Sequence, residues 1–320
     1  MRILVVMDPI ERVNIDKDTT FGFMLAAQAR GHELFYCNLE HLSARGGDGW
    51  AHVASLEVEY DHHAFHRLGP WVDARLADFD SIWMRKDPPV DRAYLHATHL
   101  LDLAGDALVV NNPTGVRYAN EKIYALQFPE FCPETRVTRS IAGIKAWLAE
   151  KGEPLIVKPV DGHGGAGIFL LRPDDRNVSS ILETLTEEGE RWVMVQQYIP
   201  EAREGDKRII MIDGRPLGAI LRTPREDDNR GNIHVGGTVS DVDLTERDKA
   251  ICAAVGPRLV QDGLWFVGLD VIGGYLTEIN VTSPTGIREV EKLTGTDLGA
   301  AYVEWVESAV AARTATGHRN

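Results

Sequence analysis

Glu153-Pro-Leu-Ile-Val-Lys-Pro-Val-Asp-Gly-His-Gly-Gly-Ala-Gly-Ile-Phe-Leu-Leu171 is the stretch whose reading decides the fold. Two short apolar runs flank a loop in which Gly162, Gly164, Gly165 and Gly167 fall within seven residues, so it reads as strand, loop, strand. Glycines without a Cβ let backbone N–H groups close on an anion. The loop is neither Gly-x-Gly-x-x-Gly nor a P-loop, and it leads into a strand, so phosphate sites at helix N-termini do not apply. Taken alone it equally fits a flexible hairpin tip. Lys158 tips the balance, because a lone ammonium in an apolar strand costs desolvation unless it meets a negative partner. Loop and lysine together point to nucleotide phosphate.

Upstream, Arg2-Ile-Leu-Val-Val-Met7 reads as a buried parallel strand, followed by a helix over 21–30 capped by Thr19 or Thr20 and a strand over 34–36. Strand, helix and strand recur over 80–84, 92–103 and 108–110, and one helix is expected over 115–127. This is an α/β domain with an open parallel sheet, whose ligands gather outside the carboxyl ends of the strands. Downstream, 192–199, 208–212 and 217–222 read as antiparallel strands and hairpins, with a turn at Asp213-Gly214. Thr245 caps a helix with a kink at Gly256-Pro257 and a stop at Gly263. The second half is α+β, and 314–320 reads as a frayed tail.

Gly268-Leu-Asp-Val-Ile-Gly-Gly-Tyr-Leu-Thr-Glu-Ile-Asn-Val-Thr-Ser-Pro284 carries a second signal. Strand period puts Glu278 and Asn280 on one face. A two-residue turn at Gly273-Gly274 would pair Asp270 with Thr277, whereas a three-residue loop with a bulge pairs it with Glu278. The bulged form is expected, because Asp270, Glu278 and Asn280 then make a hard oxygen donor set suited to Mg²⁺, with Mn²⁺ as the alternative ion.

The 320 residues are enough for about two domains. Against 34 Lys and Arg stand 48 Asp and Glu, a net charge of −14, which repels polyanions and argues against a nucleic-acid partner. Mean hydropathy is −0.19 and the first apolar run is short, so neither a membrane span nor a signal segment is expected. Three scattered cysteines fit a reducing cytoplasm. His62, His63 and His66 lack the partners of a zinc site, and their surroundings look extended.

Met7-Asp-Pro9, Met84-Arg-Lys-Asp-Pro-Pro89, Asn120-Glu-Lys122, Pro133-Glu-Thr-Arg-Val-Thr-Arg139, Lys158-Pro-Val-Asp-Gly-His-Gly-Gly165, Gly205-Asp-Lys-Arg208, Arg230-Gly-Asn232 and Leu276-Thr-Glu-Ile-Asn-Val-Thr-Ser-Pro284 together resemble the bacterial type of glutathione synthetase, an ATP-grasp ligase. The resemblance covers nearly the whole chain. His163 and Gly286 depart from residues frequent in that family. The resemblance implies an enzyme that joins γ-glutamylcysteine to glycine with ATP, through an acyl-phosphate, and commonly a homotetramer. It implies residues 1–121 as a substrate-side domain, 122–199 as a central subdomain with the glycine loop, and 200–313 as a C-terminal subdomain with the metal site.

It further implies that Lys122 and Lys158 face the α- and β-phosphates beneath Gly162, Gly164 and Gly165, and that Gln197, Tyr198 and Ile199 form an adenine-binding hinge. Asp206 would contact the ribose and Arg208 the γ-phosphate and acyl-phosphate. Arg85 and Arg288, with Arg222 as a weaker candidate, would bind the dipeptide carboxylates through guanidinium forks. Residues 224–237 would form a lid that keeps water off the acyl-phosphate. Two rivals remain: another ATP-grasp ligase acting on a peptide or protein, and a non-catalytic ATP-binding regulator. A regulator should have lost a metal ligand or the Arg208 type of residue, and this chain retains both.

Overall fold

The computed structural model describes residues 1–224 and 237–316, so the expected lid lies outside the described residues except for its two ends. Three sheets carry the chain. The first contains β1 (Arg2–Val6), β2 (Glu33–Cys37), β3 (Leu42–Arg45), β4 (Asp48–Val58), β5 (His66–Arg75), β6 (Ser81–Met84) and β7 (Leu108–Val110), in the order β3-β4-β2-β1-β6-β7 with β5 on the other edge of β4. Its β2-β1-β6-β7 half is parallel, and β3, β4 and β5 extend it antiparallel. In β1, Ile3 and Val5 face one core while Leu4 and Val6 face another, so the unbroken apolar run follows from burial on both faces. His62 and His63 lie between β4 and β5, and His66 opens β5, so the three share no helix.

Two helical expectations need correction. Helix α1 (Thr19–Ala29) is capped by Asp18, whose carboxylate accepts from the Phe21 amide at 2.7 Å, while Thr19 and Thr20 are buried in its first turn. After α2 (Arg92–Leu101), the single helix expected over 115–127 is broken. α3 (Pro113–Tyr118) ends early, a 3₁₀ turn forms at Tyr124–Gln127, and the Asn120 side chain accepts from the Lys122 and Ile123 amides in between. Such local capping competes with helix continuation.

The second sheet, β8 (Thr135–Thr138), β9 (Leu155–Pro159), β10 (Phe169–Leu171) and β11 (Val193–Gln197), is antiparallel in the order β10-β9-β11-β8. Helices α4 (Ile141–Lys151) and α5 (Val178–Leu185) cover it and share its separate core around Trp147, Leu182 and Val195. The third sheet, β12 (Asp206–Ile212), β13 (Arg215–Thr223), β14 (Thr238–Asp241), β15 (Phe266–Ile272) and β16 (Tyr275–Asn280), is antiparallel in the order β14-β13-β12-β15-β16. Its β12 also buries both faces, Ile209 and Met211 in one core, Ile210 and Ile212 in the other, and both cores continue into the first sheet.

Helix α6 (Glu246–Gln261) starts at a Thr245–Asp248 capping box and contains Pro257. After α7 (Ile287–Thr294), α8 (Leu298–Thr316) runs on through 314–316, where a tail was expected, and packs beside α1. The first and third sheets are thus fused by shared cores, and the second sheet stands apart with a core of its own. No helix among the described residues is long and apolar enough to cross a membrane.

Candidate active site

The cleft between these bodies has a volume of about 970 Å³ and is lined from all three sheets. The first contributes the carboxyl ends of β1 and β6 with Met7, Asp8 and Arg85, as strand-end loops in parallel sheets generally do. The second contributes Lys158, the glycine loop and 196–199, and the third contributes Asp206, Arg208, Arg222, Asp270, Glu278 and Asn280.

Asp270 does pair with Glu278, by a different route from the one expected. The hairpin turn has only two residues, Gly273 and Gly274, both at positive φ, and the extra residue sits further along β16 as a bulge at Thr277. The Thr277 hydroxyl donates to the Asp270 carbonyl at 3.1 Å. Gly273 also leaves room for Ile199, since a Cβ there would lie 2.9 Å from Ile199 Cγ2. One glycine pair thus allows the tight turn and brings Ile199 against the hairpin.

The charged groups interlock. Lys158 Nζ lies 3.2 Å and Lys122 Nζ 3.6 Å from Glu278 Oε1, and Lys122 also donates to the Gly162 carbonyl. Burial pushes the Glu278 carboxyl up, but the two lysines outweigh it and hold it below the usual range. Asp270 receives Arg208 Nε at 2.5 Å and Nη2 at 3.0 Å, a bidentate fork, and Arg222 Nη2 at 3.0 Å. Here too burial raises the carboxyl and the two guanidiniums more than reverse the effect. Arg222 also pairs with Asp206, whose carboxyl is pushed up to about 6 by burial, with Arg222 opposing. The Asn280 amide donates to Gly268 O and Asp270 Oδ2, each at 3.2 Å, which fixes its side chain.

The Gln197 and Tyr198 amides donate to the Glu134 and Pro154 carbonyls, which anchors 196–199 where the segment lines the cleft. Gly164, Gly165 and Gly167 all hold positive φ, the conformation for which glycine is the ready residue.

Two of the three candidate carboxylate-binding arginines line the cleft. Arg85 is buried against the touching rings of Phe23 and Phe266, 5.6 and 5.4 Å from their centroids, and donates to Thr20 Oγ1 and Pro284 O, each at 3.0 Å. Among the described residues no carboxylate hydrogen-bonds to it, though Asp18 and Asp87 act on its charge from further off, and burial lowers its pKa. Arg222 belongs to the Asp206–Asp270 network. Arg288 does not line the cleft; it pairs with Glu291 at 2.8 Å and lies over the Tyr60 ring.

Four features escaped sequence reasoning. Glu121 lines the cleft and accepts from Val281 and Thr282 on the far side of the chain. Glu289 lines it with a buried oxygen, Oε2, that has no hydrogen-bond partner among the described residues, and burial raises its pKa. Lys86 pairs with Asp8 at 3.1 Å near the mouth. Gly268 leaves space for Arg208. Glu121 and Lys86 stand inside matched motifs and Glu289 beside the candidate Arg288, which was the one available signal; nothing in the sequence assigned them a partner.

Residues 1–117 match the model of the prokaryotic glutathione synthetase N-terminal domain, and 121–295 that of the prokaryotic glutathione synthetase ATP-grasp domain. The chain is 47% identical to a glutathione synthetase of Synechococcus elongatus, over 97% of this chain and 99% of that protein. It is 48% identical to one of Gloeobacter violaceus, over 96% of each. Among solved structures, D-cycloserine synthetase DcsG superposes with a TM-score of 0.67 at 15% identity, covering 97% of this chain and 99% of that one. The macrocyclase MdnC of Microcystis aeruginosa gives 0.64 at 15%, covering 96% and 100%. At such identities these structures speak for the ATP-grasp fold alone.

Proposed function

This chain belongs to the prokaryotic glutathione synthetase family and is an ATP-dependent ligase that joins γ-glutamylcysteine to glycine, and we propose that the cleft residues divide that work between nucleotide, metal and dipeptide. The convergence of Lys122, Lys158, Glu278, Asp270 and Arg208 carries the proposal, because cations for phosphate and carboxylates for a metal meet within one cleft.

Lys122 and Lys158 bind the α- and β-phosphates, with Gly162, Gly164 and Gly165 closing over them. Gln197, Tyr198 and Ile199 hold the adenine, and Asp206 the ribose. ATP-grasp ligases use a divalent metal, and the donors here are hard oxygens, which favour Mg²⁺ over a softer ion. Asp270, Glu278 and Asn280 would hold it, with the Asn280 amide nitrogen already donating, so that its oxygen is left to ligate. The metal would supply charge neutralisation between phosphate oxygens.

Arg208 faces the transferring phosphoryl group. The dipeptide carboxylate attacks the γ-phosphorus and ADP leaves; the glycine amine then attacks the acyl carbon, loses a proton, and phosphate departs. Arg85 takes a dipeptide carboxylate directly, since its buried charge has only neutral partners among the described residues. Arg222 supports the nucleotide and metal side of the cleft, through Asp206 and Asp270, and Arg288 reaches the dipeptide only indirectly, through the start of α7.

Division into 1–121, 122–199 and 200–313, a homotetrameric assembly, a cytoplasmic location, and small molecules as partners in place of nucleic acid or membrane complete the reading. Phosphate release should need ATP, Mg²⁺ and γ-glutamylcysteine, and glutathione should appear when glycine is added. ADP formation at an equal rate without the dipeptide would overturn the ligase reading, and turnover only with a longer peptide would favour a peptide-modifying ATP-grasp enzyme.

A further inference from the structure

Glu121 sits in the irregular connection between α3 and the 3₁₀ turn, next to Lys122. Its Oε1 accepts from the Val281 amide at 2.9 Å, the Thr282 amide at 3.1 Å and the Thr282 hydroxyl at 2.9 Å, and its carbonyl accepts from the Ile279 amide at 2.9 Å. One residue therefore grips the end of β16 on both sides of Asn280. Lys122 projects from the same connection toward Glu278. A segment without a hydrogen-bond ladder of its own takes its position from such contacts. Removing the carboxylate would leave two part-buried amides and the Thr282 hydroxyl unsatisfied and loosen the link between β16 and the lysine to the single Glu121 carbonyl bond with Ile279.

We propose that Glu121 is a positioning residue that fixes Lys122 relative to Glu278 and Asn280 and thereby sets nucleotide affinity. The proposal rests on the assignment of Lys122 to phosphate. It makes Glu121 act through its neighbour, so its effect should vanish when that neighbour is removed.

The test is equilibrium binding of ADP with Mg²⁺ by titration calorimetry, on the full chain. Glu121→Ala should weaken binding roughly tenfold to a hundredfold, the range seen when a partner that orients a ligand is lost. Glu121→Gln keeps an oxygen in place of Oε1 and should bind within a few-fold of the parent, while Glu121→Asp, one methylene short, should behave like the alanine variant and replaces it if that variant does not fold. In a Lys122→Met background, Glu121→Ala should change the dissociation constant less than about twofold. An equal loss in both backgrounds, failure of Gln to rescue, or no effect of Ala would overturn the proposal. Absence of ADP binding to the parent chain would instead overturn the nucleotide site itself.

Discussion

Lys158 Nζ and Glu278 Oε1 meet at 3.2 Å across the cleft, although one belongs to β9 of the second sheet and the other to β16 of the third. Lys122 approaches the same oxygen at 3.6 Å. A phosphate on these lysines competes with Glu278 for their charge, and a metal on Glu278 competes with the lysines for its carboxylate. Nucleotide and metal arriving together replace both partners at once. A nucleotide arriving alone leaves a buried carboxylate uncompensated, which is expensive.

Glu278→Gln should therefore act in opposite directions under two conditions. In EDTA the variant should bind ADP several-fold more tightly than the parent, because the lysines are released. With Mg²⁺ it should bind more weakly and lose most ligase activity, of order 10²-fold by comparison with other groups that stabilise a charged transition state. Paired calorimetric titrations read both signs. Weaker binding in EDTA as well would show that the pairs do not compete with phosphate.

Gly268 should not accept even a methyl group. A Cβ there would lie 2.8 Å from Arg208 Cδ and 3.1 Å from both Arg208 Nε and Pro284 Cβ. Arg208 cannot swing aside without breaking its fork on Asp270. Gly268→Ala should lower kcat about a hundredfold through misplacement of the guanidinium, with overpacking costing about 1–3 kcal/mol of stability. Steady-state turnover together with a urea midpoint separates the two. A kcat close to that of the parent would mean that Arg208 need not sit where its fork holds it.

The strands around the glycine loop and the Asp270–Glu278 hairpin were legible because their signals are local: alternation, apolar runs and glycine punctuation. What stayed hidden depends on distant partners. Asp18 is the cap because the helix starts at Thr19, ahead of its apolar pattern, which puts both threonines inside its first turn, with Thr20 accepting from Arg85. The bulge moves from the turn to Thr277 because two glycines at positive φ already satisfy the turn. Glu121 meets groups 160 residues away, and no spacing rule links them. Arg288 follows a strand end in sequence, yet its place in the first turn of α7 points it at Tyr60.

With Asp206 assigned to the ribose, nucleotide affinity should depend on pH. Burial raises its carboxyl to about 6, against the opposing pull of Arg222. Below that pH the group is protonated, loses acceptor capacity for a ribose hydroxyl, and loosens its hold on Arg222. ADP affinity should thus fall as the pH drops through about 6. Asp206→Asn mimics the protonated form, so it should bind more weakly at pH 7.5 and lack this limb. Calorimetry of both proteins between pH 5 and 8 isolates the difference, since titration of the nucleotide itself is common to the two. The same limb in the asparagine variant would assign it to another group.

Arg85 and Arg288 should separate in their effects on the dipeptide. Arg85 lines the cleft with its charge held by a hydroxyl, a carbonyl and two aromatic rings, so a substrate carboxylate would be its first anionic partner among the described residues. A hydrogen bond to a charged group contributes roughly 1.5–3 kcal/mol, so Arg85→Met should raise the KM for γ-glutamylcysteine about tenfold to a hundredfold and leave that for ATP nearly unchanged. Methionine also suits a site against the rings of Phe23 and Phe266, and replacing a buried charge with an apolar side chain is well tolerated. Arg85→Lys should be almost as damaging, because an ammonium cannot reproduce the planar fork. Arg288 is already paired with Glu291 and stands outside the cleft lining, so Arg288→Met should raise the dipeptide KM only a few-fold. Steady-state kinetics of the three variants with each substrate varied in turn decides the matter. A larger effect at Arg288 than at Arg85 would mean that α7 turns its first residues inward when the dipeptide binds, and a parallel rise in the KM for ATP would move Arg85 into the nucleotide site.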